Sequence, residues 1–190
     1  MANKKYNQID PQVSKWTYII ILSVFILIIG LIIGLQPSNS RKVYDAYKNV
    51  ASSDFTEDHP FYEIGYRDRF LNKGLESVLE QEKFVILYVG YNQCQSCINH
   101  IGAFQRYFYS EGLDAFVDHV YYLNVANNLN DFQAFIDNVS GAKEETPQLV
   151  LFIDGQMVQS FVVQSADNTE TINSSVRQFF QGAKSRIENA

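Results

Sequence analysis

The chain has 190 residues, room for one domain of ordinary size and a short appendage. Its 46% hydrophobic content excludes a disordered chain, and 15 Lys and Arg against 21 Asp and Glu leave a net charge of −6, the wrong sign for a protein whose main work is binding nucleic-acid phosphate. The two cysteines, Cys94 and Cys97, are too few for a disulfide-stapled scaffold or for a four-thiolate zinc or iron–sulfur site.

Residues 1–15 form a tail with Lys4, Lys5 and Lys15 against Asp10 alone, which makes the tail +2 and leaves −8 for the rest. Residues 16–35 carry no charged side chain. As a helix rising about 1.5 Å per residue, they match a hydrocarbon core about 30 Å thick, and the reading is a transmembrane helix. Trp16 and Tyr18 stand at its start, where amphipathic rings favour the headgroup layer, and Pro37 follows its end. A cleaved signal peptide has a shorter apolar region, about 7–15 residues, ending in small residues. Gly34-Leu35-Gln36-Pro37 matches that poorly, so the segment reads as an uncleaved signal-anchor. The lysines before it, set against Arg41, Lys42 and Lys48 among acidic neighbours after it, place the tail in the cytoplasm. The expectation is a single-pass cell-membrane protein with its main domain extracytoplasmic.

Residues 36–60 read as a polar linker and a short amphipathic helix, with Val43, Ala46, Tyr47 and Val50 at helical spacing over 41–52. The domain proper is expected over 61–190. Residues 61–70 suit an edge strand, and Leu75, Val78 and Leu79 mark a helix. Phe84 to Val89 is an apolar run without alternation, which suits a central strand buried on both faces. A helix follows from Cys94 to about Tyr109, with Ile98, Ile101, Phe104 and Phe108 on one side. His119 to Val125 is a second strand, and Leu129, Phe132, Phe135, Ile136 and Val139 form a helical stripe. Leu149 to Ile153, the Asp154-Gly155 turn and Met157 to Val163 make a hairpin, and Ile172 to Ile187 make the closing helix. From residue 84 the order is β-α-β-α-β-β-α, an α/β mixed sheet with helices on both faces.

The chemistry lies in Cys94-Gln95-Ser96-Cys97, a dithiol on the turn between a buried strand and a helix. A sulfur at a helix N-terminus faces unpaired backbone N–H groups and the positive end of the dipole, which favour thiolate over thiol. Cys94 is therefore the candidate nucleophile. Cys97, one turn deeper on the same face, can close a disulfide or resolve a mixed one. Two other readings stay open, an inert structural bridge and a soft-metal site that adds His100. The latter is an incomplete ligand set, and His100 reads better as a solvent-facing or hydrogen-bonded helix residue. His59 and His119 give no signal. Tyr91 and Tyr109 are candidates for a peptide-binding surface near the dithiol, whereas most other aromatics, Phe132, Phe135, Phe179 and Phe180 among them, lie on core stripes.

The strand 84–89, the dithiol at the next helix start, Thr146-Pro147 before strand 149–153 and the Asp154-Gly155 hairpin resemble a thioredoxin-like domain. The resemblance implies a cis peptide bond at Pro147 opposite the dithiol, with the backbone of Thr146 pairing with a bound peptide. Within that family, Phe84–Cys97, Tyr121-Tyr122-Leu123, Phe132–Phe135 and Pro147–Gly155 are similar to the membrane-anchored bacteriocin transport accessory, or bacteriocin maturation disulfide isomerase, proteins. There are departures. Many thioredoxins have Trp-Cys-Gly-Pro-Cys where this chain has Gln93-Cys94-Gln95-Ser96-Cys97, and a buried Asp where it has Tyr88. The internal proton acceptor of an efficient reductase is therefore missing, with Glu144 and Glu145 as candidate substitutes.

The expected function is thiol–disulfide exchange on cysteine-containing secreted peptides or proteins, with Cys94 and Cys97 catalytic and Thr146 and Pro147 binding substrate. It calls for no cofactor or metal and no nucleic acid, but needs a redox partner protein, because the chain has no further cysteine. The alternatives are a metallochaperone module and a non-catalytic secretion accessory.

Overall fold

The computed structural model describes residues 14–190, apart from 53, 70, 71, 128, 162 and 164–167. The tail residues Lys4, Lys5 and Asp10 lie outside the described residues. Two compact units divide at Pro37 and Ser38. The first holds α1 (Lys15–Gly34), whose window Lys15–Ile32 is long and apolar enough to cross a membrane, and it is wholly exposed, as a membrane anchor or a signal sequence would be.

The second unit, Ser38–Ala190, contains α2 (Asn39–Tyr47), β1 (Phe61–Glu63), α3 (Leu75–Gln81), β2 (Phe84–Gly90), α4 (Gln95–Ser110), β3 (Val120–Asn124), α5 (Leu129–Asn138), β4 (Gln148–Ile153), β5 (Gln156–Ser160) and α6 (Thr169–Glu188). The strand order is β1-β3-β2-β4-β5. β1 and β2 run parallel to β3, whereas β4 is antiparallel to both β2 and β5. The β-α-β-α-β-β-α order expected from residue 84 is present in full.

Side-chain alternation on the strands explains the two cores. Ile86, Tyr88, Val120, Tyr122, Leu149 and Leu151 face one way and pack with residues of α2, α4 and α6. Val85, Leu87, Val89, Tyr121, Leu123 and Val150 face the other and pack with residues of α3 and α5. A strand covered on both faces loses nothing by being apolar at every position, which is why β2 shows no alternation. Asp154 and Gly155, at φ 50° and 72°, make the hairpin turn in the left-handed region.

Three elements differ from expectation. α2 ends at Tyr47 and belongs to the globular unit, where Val43 and Tyr47 are fully buried. Ser38 starts it by accepting the N–H of Arg41 at 3.1 Å. The edge strand stops at Glu63, because the carbonyls of Gly65 and Tyr66 turn to accept the N–H groups of Leu75 and Glu76 at the start of α3. β5 ends at Ser160, three residues early, with residue 162 outside the described set.

Candidate functional site

The site lies where β2 hands the chain to α4. Cys94 is the N-cap residue of α4, in an extended conformation, and its Sγ accepts the N–H of Cys97 at 3.1 Å. Its own N–H closes a turn on the Tyr91 carbonyl at 3.2 Å. The two cysteines are joined as a disulfide, with Cα atoms 5.2 Å apart. Cys94 is half-buried and Cys97 is completely buried, so an incoming thiolate reaches only the Cys94 sulfur. Once the pair is fully reduced, Cys94 lies at the N-terminus of a 16-residue helix, where the backbone favours its thiolate.

The loop before β4 stands over this sulfur. The Thr146-Pro147 peptide bond is cis. The Thr146 hydroxyl donates toward Cys94 Sγ at 3.5 Å, and the Thr146 carbonyl oxygen is 3.8 Å from the same sulfur. The four residues singled out for the site, Cys94, Cys97, Thr146 and Pro147, are thus brought together from segments 52 positions apart.

Two supports went unnoticed in the sequence. Gln148 is buried; its Nε2 donates to the carbonyls of Glu145, at 2.8 Å, and of Lys143, while its Oε1 accepts the N–H of Lys143 at 3.1 Å. One side chain thereby ties the loop that carries Thr146 and Pro147. Asn92, in the turn before Cys94, donates to the Ala46 carbonyl of α2 at 3.2 Å. A glutamine flanked by Pro147 and apolar strand residues is a weak signal, and Asn92 reads as an ordinary turn residue.

Other candidates fall elsewhere. His100 is buried against Phe104 and Phe161, so it does not face solvent, and its Nδ1 is 2.7 Å from the Ser96 carbonyl, as a hydrogen-bonded helix residue would be. Among the described residues, no group of three or more His, Cys, Asp or Glu is placed to hold a metal. Tyr91 flanks the dithiol through its backbone. Tyr109, by contrast, is near the far end of α4, where its hydroxyl donates to the Asp58 carbonyl at 2.8 Å; helical rise alone carries it away from the site. Glu144 and Glu145 are exposed. His59 is buried between Tyr44, Phe55 and Phe61, and burial pulls its pKa down to about 4. A cleft of about 140 Å³ lined by Glu63, Arg67, Arg69, Asn127 and Asp131 shares no residue with the dithiol site.

This topology, with a dithiol at the start of the helix after the central strand, is a mixed α/β thioredoxin-like fold. No family model and no curated protein matches the chain. Among solved structures, a candidate oxidoreductase with a thioredoxin fold aligns at 23% identity over 63% of this chain and 92% of its own, with a TM-score of 0.43. A mutant thioredoxin from Halobacterium salinarum aligns at 18% identity over 68% and 95%, TM-score 0.40. A thioredoxin from Malassezia sympodialis aligns at 19% over 62% and 89%, TM-score 0.40.

Proposed function

We propose that this chain is a membrane-anchored thiol–disulfide oxidoreductase that acts outside the cytoplasmic membrane on cysteine-containing secreted peptides or proteins. The observation that carries the reading is the asymmetry of the cysteine pair: Cys94 is half-buried at a helix N-cap beneath Thr146, and Cys97 is wholly buried behind it.

A substrate thiolate attacks Cys94 Sγ, forming a mixed disulfide. The Cys94–Cys97 bond breaks, and its electron pair leaves on Cys97 as a thiolate. A second substrate thiolate then attacks the substrate sulfur of the mixed disulfide, releasing an oxidised substrate and a Cys94 thiolate. The reverse sequence reduces a substrate, and a partner dithiol or disulfide protein sets the direction. Thr146 and Pro147 receive the substrate backbone beside Cys94. The bacteriocin accessory resemblance favours short secreted peptides as substrates, and α1 keeps the site at the membrane surface.

The test is Cys97→Ala in the full chain. Without the resolving thiol, covalent complexes through Cys94 accumulate and identify the substrates, and a second change, Cys94→Ser, abolishes them. Absence of such complexes in cells, together with no exchange between the purified wild-type disulfide and glutathione, would remove the reading.

A further inference from the structure

A cluster of three hydroxyls lies in the core beside the disulfide. Tyr47 of α2, Tyr88 of β2 and Tyr122 of β3 are all fully buried. The Tyr47 hydroxyl is 3.3 Å from that of Tyr88 and 3.4 Å from that of Tyr122, and in each pair either oxygen is able to donate. The Tyr88 and Tyr122 rings stack at 5.3 Å. Phenylalanine would fill nearly the same volume without burying three hydroxyls, so packing alone gives no reason for the oxygens.

Gly90 shows what the cluster faces. A β-carbon at Gly90 would stand 2.7 Å from the Tyr88 hydroxyl oxygen and 3.2 Å from Cys97 Sγ. Hydroxyl and sulfur therefore converge on the same small space, which a glycine leaves open. When the disulfide opens, Cys97 receives an electron pair while shut off from water, and a buried anion without a donor is costly.

We propose that Tyr88 is a positioning residue for Cys97, its hydroxyl turning to donate a hydrogen bond to the Cys97 sulfur when that sulfur becomes a thiolate, with Tyr47 and Tyr122 donating in series behind it. This rests on the oxidoreductase reading and adds how the leaving charge is held. In the disulfide state the Tyr88 hydroxyl pairs with Tyr47. After attack on Cys94, the freed Cys97 sulfur moves into the space left open at Gly90 and the Tyr88 O–H turns to it, while the Tyr88 oxygen accepts from Tyr47 and Tyr47 accepts from Tyr122. No covalent bond to hydrogen breaks, and every proton stays on its oxygen. Burial pushes the phenols of Tyr88 and Tyr122 far above their usual value, so the cluster stabilises a thiolate without acting as a base. The hydroxyl series gives a leaving thiolate a donor where a buried carboxylate would repel it.

The experiment is Tyr88→Phe in the full chain, with two readouts. In a Cys94→Ser background, where Cys97 is the only thiol, ultraviolet titration of the thiolate should show the Cys97 pKa rising by about one unit, the loss of one hydrogen bond to a charged group. In the two-cysteine chain, glutathione should open the disulfide several-fold more slowly, because the leaving thiolate is less stable. Tyr47→Phe should move both readouts the same way by less, and it carries the test should Tyr88→Phe not fold. An unchanged or lowered Cys97 pKa in the folded variant overturns the proposal. Failure of glutathione to open the wild-type disulfide would instead overturn the oxidoreductase reading, and the Cys97 titration would still judge Tyr88.

Discussion

The Thr146 hydroxyl donates toward Cys94 Sγ at 3.5 Å, so the loop before β4 touches the half-buried sulfur of the dithiol directly. That donor persists when Cys94 becomes a thiolate, where it is worth more. Thr146→Val keeps the shape and removes the donor. We expect the Cys94 pKa, titrated in a Cys97→Ala background, to rise by about half a unit, a modest fraction of what a full charged hydrogen bond gives because sulfur contacts are long. An unchanged pKa would mean that Thr146 serves the site through its backbone alone.

Gln148 holds that loop from below through its bonds to Lys143 and Glu145. Gln148→Leu leaves two carbonyls and one N–H of the exposed loop residues Lys143 and Glu145 without this partner. The expected cost is about 1 kcal/mol in urea unfolding, because water can reach the freed loop groups. Exchange with a peptide substrate should also slow, because Thr146 and Pro147 lose their fixed place. Equal stability of wild type and variant would show that water or the backbone replaces the amide.

The domain's outer frame was legible because its signals are local. The unbroken apolar run of β2, the Asp154-Gly155 turn and the stripe of α5 each declare themselves within about ten residues, and the dithiol fell between two of them. Tyr47 was not legible. On its own helix it is one apolar position among four, and its burial depends on Tyr88 and Tyr122, which are 41 and 75 residues away. The same holds for the segment ending at His59: Thr56 donates its N–H to Gln105 of α4 at 3.0 Å, a pairing 49 residues apart that no periodicity announces. Helix α2 therefore reads from sequence as a short amphipathic helix preceding the domain, while in the folded unit it closes the core behind the dithiol.

His59 gives the domain a pH dependence whose sign follows from its surroundings. Buried among Tyr44, Phe55 and Phe61, it has a folded pKa of about 4 against an ordinary value of 6.5. The unfolded chain therefore takes up a proton between those values while the folded chain does not. Its contribution to stability is complete above pH 6.5 and is lost as pH falls toward 4. Urea midpoints measured across that window should fall for the wild type and fall less steeply for His59→Asn. Parallel curves for the two proteins would show that the imidazole charges freely in the folded state.

The proposed anchoring role of α1 makes a prediction about sidedness. A short tail with three lysines against one aspartate precedes α1, and the acidic domain follows it. With the tail cytoplasmic, protease added to intact protoplasts should digest residues 41–190, and lysis should add little further cleavage. Protection of that domain until lysis would put the dithiol in the cytoplasm, where a reducing pool keeps such pairs open, and would require a different class of substrate.

Gly90 closes β2 at the point where the Tyr88 hydroxyl and Cys97 Sγ converge. An alanine there would press its β-carbon to 2.7 Å from the hydroxyl oxygen and 3.2 Å from the sulfur. Neither neighbour yields easily, since Tyr88 is packed between Phe61, Phe104 and Tyr122, and Cys97 is fixed on α4. Overpacking of this kind costs about 1–3 kcal/mol, and Gly90→Ala should lose that much in urea unfolding of the oxidised protein. The severest contact is with Tyr88, but the Cys97 sulfur crowds the same β-carbon, so opening the ring and letting Cys97 move should relieve part of the strain. The difference between variant and wild type should therefore be smaller in the reduced protein than in the oxidised one. A loss equal in both states would mean that the strain falls on Tyr88 and the β2 backbone alone, and that the sulfur does not share the space above Gly90.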